Sequence, residues 1–203
     1  GGGPSINPNL NNPNNTKALP ASAGLAEVLK SAGYKEGTFA YEFALVIGTK
    51  EGYKKGSTNR PSRNNNPGNL VWSSGEFSTL DPSATIEPVN SKGEQRFAKF
   101  STPELGAKAL VEKKILKWAK GGYPSTVTNG CKQASITYRS NNNVPDSLSC
   151  IGGKGVNLTI EQFIYIYAPP SENNTERYVN QVVTTLAKKI AGITRNSKII
   201  DYL

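Results

Sequence analysis

The sequence predicts an α+β protein that is mainly helical, with a helical lobe and a small antiparallel β region behind an extended arm. Apolar residues recur every three to four positions in several segments, whereas short β-type runs occur only between residues 69 and 100. The first 16 residues contain six Asn, three Pro and three Gly, a composition that cannot build a core. We therefore predict an arm or linker over residues 1–23 and one domain over residues 24–203.

Five segments have the apolar spacing and the end signals of helices. Gly52 follows the second segment, as is usual just past a helix end. Ser101 or Thr102 caps the third, and Thr159 with Gln162 has the spacing of a capping box before the fourth. The predicted helices are Leu25–Ser31, Phe39–Lys50, Pro103–Lys120, Ile160–Tyr167 and Glu172–Ala191.

Three short runs between the second and third helices predict the β region. They are Asn69–Trp72, Thr85–Glu87 and Arg96–Phe100, and Gly, Pro and Ser interrupt the chain between them. Residues 121–158 are rich in Gly, Ser and Asn, and no element is assigned to them.

One charged residue within the third helix has a simple explanation. Glu112 lies on an apolar face, four residues after Lys108. An ordinary ion pair between residues i and i+4 is therefore expected.

The composition excludes several kinds of chemistry. The chain of 203 residues has no His and only two Cys. A Ser–His–Asp or Cys–His nucleophile and a His-ligated catalytic zinc are thus excluded, and two Cys are too few for a structural zinc site. Any acid–base catalysis must use carboxylates, Tyr or Lys, and no metal or other cofactor is expected.

The charge favours an anionic partner. Lys and Arg number 24 against 15 Asp and Glu, a formal net charge of +9. The basic residues are scattered and no recognition motif is present, so nucleic acid is not expected. No run of about 18 apolar residues exists to span a membrane. Because the chain begins with Gly1 rather than Met, we expect a processed fragment.

Glu51 is the first candidate for catalysis. It follows the buried stripe of the second helix, four residues after Ile47 and eight after Phe43. Apolar surroundings and the carbonyl end of a helix both disfavour an ionised carboxyl, which suits a proton donor. The alternative is a frayed helix-end residue solvated beside Lys50 and Lys54.

Four blocks of sequence carry a resemblance to a known family. In the same order and approximate spacing, they resemble the lysozyme-like peptidoglycan-degrading domains of phage virion proteins and secreted bacterial effectors, including lytic transglycosylases. The resemblance covers roughly residues 39–190. The blocks are KEGY (Lys50–Tyr53), RNNNPGNL (Arg63–Leu70), FAKFSTPELGAKAL (Phe97–Leu110) and IYIYAPPSENNTERYVNQV (Ile164–Val182).

The resemblance implies a lysozyme-like fold and a role for Glu51. In such domains the general acid is a Glu at the end of a core helix, and that position corresponds to Glu51. A mechanism similar to that of lytic transglycosylases, in which one Glu is acid and then base, is favoured over a second carboxylate. Tyr167 either stabilises the charged intermediate or is a packed aromatic. The second-carboxylate candidates are Glu76, Asp81, Glu87 and Glu94, each expected to be a solvated loop charge.

Five residues are candidates for substrate binding, and four of them have a structural alternative. Tyr53 closes the KEGY block. Asn66 and Asn69 either bind N-acetyl groups of the substrate or only cap their turn. Glu172 and Asn173 either contact substrate or, with the following Asn174 and Thr175, cap the last helix.

Cys131 and Cys150 enclose a loop rich in Ser and Asn. A disulfide between them is favoured if the protein acts outside the cytoplasm, and two free thiols are the alternative.

The expected function is cleavage of the β-1,4 glycosidic bonds of peptidoglycan by a muramidase or transglycosylase-type glycosidase. The expected location is a virion or an extracytoplasmic space, as a bacteriophage wall-degrading hydrolase or a secreted antibacterial effector. Residues 1–23 would then contact other virion proteins. The alternatives are a non-catalytic lysozyme-like structural protein of a virion and, since the bond is similar, an enzyme that acts on chitin.

Overall fold

The computed structural model describes residues 17–123 and 157–203. Residues 19–118 form one compact unit, and the described residues of the segment 119–202 form another. The described chain is mainly helical and has a two-stranded antiparallel sheet, which confirms the predicted class.

The first unit begins with two helices whose bounds are those predicted. Helix α1 covers Leu25–Ser31 and α2 covers Phe39–Lys50. Thr38 caps α2, because its side chain accepts a hydrogen bond from the backbone N–H of Tyr41. The sequence predicted one buried stripe, but α2 is buried nearly all round: eight of its twelve residues are buried, and Phe43 is fully so.

The β region lies where the sequence predicted it, but its strands are shorter. After the single helical turn α3 (Arg60–Arg63), strand β1 (Thr85–Ile86) pairs with β2 (Ala98–Lys99) in an antiparallel register. The first predicted run contributes only an isolated bridge, between Val71 and Phe97.

The third predicted helix is present, but its middle is wound differently. Helix α4 (Pro103–Lys108) continues as a π-helix over Ala109–Leu116 and ends as α5 (Lys117–Ala119). A π-helix bonds residue i to i+5, so side chains four positions apart no longer stack. Accordingly Glu112 is exposed, and among the described residues it forms no ion pair with Lys108, so that prediction is wrong.

The second unit consists of helices α6 (Ile160–Tyr167) and α7 (Thr175–Ala187) and a short 3₁₀ helix (Ile199–Tyr202). The predicted capping box at Thr159 is confirmed. Helix α7 begins three residues later than predicted because Asn174 is its N-cap, and it ends four residues earlier than predicted, at Ala187.

In the described part of the chain, no helix combines the length and the apolar character that a membrane crossing needs.

Candidate functional site

Glu51 is the C-cap residue of α2, and the chain beyond it is fixed by backbone hydrogen bonds. The N–H of Gly52 donates to the carbonyl of Thr49 (3.1 Å), and the N–H of Tyr53 donates to that of Gly48 (3.0 Å). This bond pair is a Schellman motif, which needs a left-handed residue just past the cap. Gly52 supplies it with φ of 89°. The half-buried Glu51 is thus held at the rigid end of the core helix.

The turn α3 is bonded to the residues that follow Glu51. The side-chain amide of Asn59 donates to the carbonyl of Gly52 (2.7 Å), while its oxygen caps α3 by accepting from the N–H of Ser62. The N–H of Lys54 donates to the hydroxyl of Ser62 (2.9 Å). Two hydrogen bonds therefore join α3 to the segment directly after the candidate acid.

The Asn-rich loop after α3 uses its amides for its own structure. The amide nitrogen of Asn66 donates to the carbonyls of Leu70 (3.0 Å) and Ala98 (2.9 Å). Its amide oxygen accepts from the N–H of Leu70 (2.9 Å). The Asn66 side chain is fully buried, so these bonds commit it to holding the turn. Of the two roles considered for Asn66, the geometry supports the structural one.

Asn69 lies near the end of the same loop and differs from Asn66 in its backbone conformation and in its side-chain hydrogen bonding. Its backbone is left-handed, with φ of 50°, a conformation that Asn tolerates better than most residues. Its side-chain oxygen is buried and has no hydrogen-bond partner among the described residues. A contact between Asn69 and substrate stays a prediction.

Tyr53 is buried just past the Schellman turn, with 3% of its surface exposed. Burial and, to a smaller extent, the negative charge of Glu104 raise the pKa of its phenol. The hydroxyl therefore stays protonated at neutral pH. Substrate binding by Tyr53 stays a prediction.

The four candidate second carboxylates were expected to be solvated loop charges, and for two of them this is wrong. Asp81 is 2% exposed and accepts hydrogen bonds from the N–H and hydroxyl of Ser101 (both 2.7 Å) and from the N–H of Ser83 (3.0 Å). Loop carboxylates are buried where backbone donors satisfy them. The third candidate, Glu76, is ion-paired with Lys114 (2.8 Å), and Glu94 is exposed as expected.

Glu87 is the other buried carboxylate, and it also was expected to be solvated. One oxygen accepts from the backbone N–H groups of Arg96 (3.2 Å) and Phe97 (2.8 Å). The other lies 3.3 Å from Nε of Arg60, 3.3 Å from the amide of Asn64 and 3.8 Å from Nη2 of Arg63. Burial acts to raise the pKa of Glu87, but these partners together lower it below its ordinary value.

Sequence reasoning missed two glycines that let helices approach the Asn-rich loop. A Cβ on Gly106 would lie 1.9 Å from the carbonyl oxygen of Asn65. A Cβ on Gly48 would lie 2.6 Å from the Leu25 side chain and 3.4 Å from the carbonyl oxygen of Pro67. A glycine preceding Ala107 inside an otherwise helical run was the available signal, because glycine there is unfavourable unless something lies close.

The remaining candidates lie in the second unit. Tyr167 is half-buried at the end of α6 and stacks on Phe163, with ring centroids 5.6 Å apart. Glu172 and Asn173 are exposed, and both of their N–H groups donate to the carbonyl of Pro169. They form the turn before α7, while the capping itself is done by Asn174.

Two further expectations concern cysteines and metals. Cys131 and Cys150 lie outside the described residues. Within residues 17–123 and 157–203, no group of three or more His, Cys, Asp or Glu side chains is placed to hold a metal ion.

Comparison with family models, curated proteins and solved structures finds no match for this chain. Its function is therefore inferred from its own residues and from the motifs they form.

Proposed function

We propose that this protein cleaves the β-1,4-linked glycan strands of peptidoglycan, with Glu51 as the general acid and then the general base. The observation that carries the proposal is the position of Glu51 at the fixed end of a buried core helix. The following segment is bonded directly to α3 and so to the RNNNPGNL motif. This is the place that the lysozyme-like motif order gives to the acid, so we also propose a lysozyme-like fold.

The chemistry requires little beyond one carboxyl group. Glu51 donates its proton to the glycosidic oxygen as the C1–O bond breaks and positive charge develops at C1. The carboxylate then takes a proton from the 6-hydroxyl of the same sugar, whose oxygen bonds to C1 and gives a 1,6-anhydro product. If water replaces that hydroxyl, the same steps give hydrolysis.

The surroundings support one acid rather than two. Asp81 and Glu87 each accept three hydrogen bonds, and Glu76 is ion-paired. A carboxylate in such a state is a poor nucleophile and a poor base. Tyr167 as a stabiliser of the intermediate stays a prediction.

The charge supports an anionic wall as the partner. A net charge of +9 favours approach to a polymer that carries carboxylates and phosphates. We accordingly propose that the protein acts on the bacterial envelope, either from a virion with residues 1–23 as a tether or as a secreted effector.

Replacement of Glu51 by Gln tests the proposal. Glu51→Gln should lower the release of soluble fragments from purified cell walls by about 10²–10⁴-fold, the range for loss of a general acid or base. Glu112→Gln makes the same change of charge at an exposed site and should leave the rate unchanged. Thermal unfolding shows whether both variants are folded.

The products and two other outcomes complete the test. Mass spectrometry should find 1,6-anhydro ends for a transglycosylase and reducing ends for a hydrolase. Equal activity of wild type and Glu51→Gln would refute the role of Glu51. Wild-type protein that leaves walls intact would favour a non-catalytic structural module, and activity confined to chitin would change the substrate.

A further inference from the structure

We propose that Glu87 is a positioning residue for Glu51 and acts through the single turn α3. This rests on the proposed function, because it assigns to Glu87 a part in the reaction that Glu51 would carry out. Among the described residues, the hydrogen bonds and ion pairs of the Glu87 side chain do not include Glu51, so Glu87 would act through the residues between them.

On one side, Glu87 fixes α3 to the β region. Its carboxylate lies directly after β1 and accepts two backbone hydrogen bonds from residues that lead into β2. Its other oxygen contacts Arg60 and Asn64, which flank α3 at its first residue and just past its last. Both ends of the turn are thus attached to one buried anion.

On the other side, α3 fixes the chain that leaves Glu51. Asn59 caps α3 and donates to the carbonyl of Gly52, and Ser62 within α3 accepts from the N–H of Lys54. The turn α3 is therefore one hydrogen bond away from Gly52 and from Lys54, which lie one and three positions after the candidate acid. A displacement of α3 would therefore be transmitted to the Schellman turn.

The charge of Glu87 contributes to holding α3 in place. The guanidinium groups of Arg60 and Arg63 approach the same carboxylate oxygen at 3.3 and 3.8 Å, so they also lie close to each other. The carboxylate offsets their mutual repulsion, and its loss would leave two like charges side by side at α3. The Arg60 guanidinium also lies 4.7 Å from the centre of the Phe97 ring, which aligns it with the β region.

Asp81 provides a matched control. It is also 2% exposed and also accepts two backbone hydrogen bonds, from Ser83 and Ser101. None of its hydrogen-bond partners belongs to α3. A loss of its charge should disturb the loop to a similar degree without reaching Glu51.

The experiment compares Glu87→Gln with Asp81→Asn by two readouts. Hydrogen exchange measured by NMR should show that the Lys54 amide exchanges at least about ten-fold faster in Glu87→Gln than in wild type. In Asp81→Asn, the Ser101 amide should exchange faster instead. The rate of fragment release at saturating wall concentration should fall about ten-fold or more in Glu87→Gln and stay unchanged in Asp81→Asn. The half-saturating wall concentration should change little in either.

A second variant covers the case in which Glu87→Gln does not fold. Asn59→Ala removes one of the two hydrogen bonds that join α3 to the segment after Glu51, together with the cap of α3, and leaves Glu87 intact. It should give the same faster exchange at Lys54 and the same loss of maximal rate. If both defects are transmitted by α3, the double variant should lose less rate than the product of the single losses.

The outcomes separate the two proposals. Normal Lys54 exchange in Glu87→Gln, or equal loss of rate in Glu87→Gln and Asp81→Asn, overturns the positioning role. A wild-type protein that leaves walls intact while Lys54 exchange still responds to Glu87→Gln overturns the proposed function and leaves the mechanical coupling standing.

Discussion

The two units satisfy buried carboxylates with different donors. In the first unit, Asp81 and Glu87 each accept two hydrogen bonds from backbone N–H groups, and Glu87 also pairs with the two Arg side chains of α3. In the second, Glu161 and Glu176 share one guanidinium, that of Arg195, with which each forms an ion pair. Asp81 and Glu87 keep their backbone donors when one side chain is replaced, whereas Glu161 and Glu176 lose their cation together. The second unit should therefore be the more vulnerable to a single substitution.

The network around Arg195 connects three segments of the second unit. Glu161 is in the first turn of α6, Glu176 is in the first turn of α7, and Arg195 is in the segment before the 3₁₀ helix. Tyr165 adds a hydrogen bond from its hydroxyl to Glu176 (2.5 Å). The backbone agrees with this arrangement, because the N–H of Glu161 donates to the carbonyl of Arg195 (3.0 Å).

The largest effect is expected from Arg195→Met. The substitution leaves two carboxylates partly or fully buried without their cation, which typically costs about 3–5 kcal/mol in the free energy of unfolding. Urea denaturation measures this loss. Lys198→Met removes the same charge from an exposed residue of the same segment and should change stability by less than about 0.5 kcal/mol. Similar losses in the two variants would mean that charge alone, rather than the network, is responsible.

A smaller effect is expected from Gly106→Ala in the first unit. The new Cβ would meet backbone, 1.9 Å from the Asn65 carbonyl oxygen, and overpacking of this kind costs about 1–3 kcal/mol. At Gly48 the nearest obstacle is the flexible end of the Leu25 side chain. Gly48→Ala should therefore be nearly neutral, because the gain in helix propensity of about 1 kcal/mol offsets the adjustment. Urea denaturation of both variants checks this, and a larger loss at Gly48 would contradict it.

The parts of the fold that depend on short-range sequence signals were predictable. The bounds of α1, α2 and α6 follow from apolar spacing and, for α6, from the capping box at Thr159. The Schellman end of α2 follows from Gly52. These signals lie within a few residues of the element that they define, so one sequence is enough to interpret them.

The parts that depend on contacts between distant residues were not predictable. Glu87 was expected to be solvated because loop carboxylates usually are, yet its partner Asn64 lies 23 positions away. Arg195 carried no signal at all, since its partner Glu161 is 34 positions earlier. The π-helical middle of the third helix was also missed, because apolar periodicity over eight residues does not separate π from α winding. At the candidate site, the location of Glu51 was predictable and its connection through α3 was not.

The smallest effect is a difference in how acid changes the stability of the two regions. The pKa of Glu87 is lower in the folded protein than its unfolded value of about 4.5. Its ionised carboxylate therefore contributes fully to the free energy of unfolding above pH 4.5, and this contribution is lost as the pH falls through the folded pKa. Burial raises the pKa of Glu161 above about 4.5, against the opposing effect of Arg195. As the pH falls from the folded pKa to about 4.5, the folded state binds a proton more readily than the unfolded state, so Glu161 adds to stability there. Glu87→Gln should therefore reduce the loss of stability in acid, and Glu161→Gln should increase it.

Each substitution should change the slope of the free energy of unfolding against pH by at most about 1.4 kcal/mol per pH unit, the limit for one proton. Urea denaturation of wild type and both variants at a series of pH values below neutral measures the slopes, and slope changes of the same sign would show that the two regions do not differ in this way.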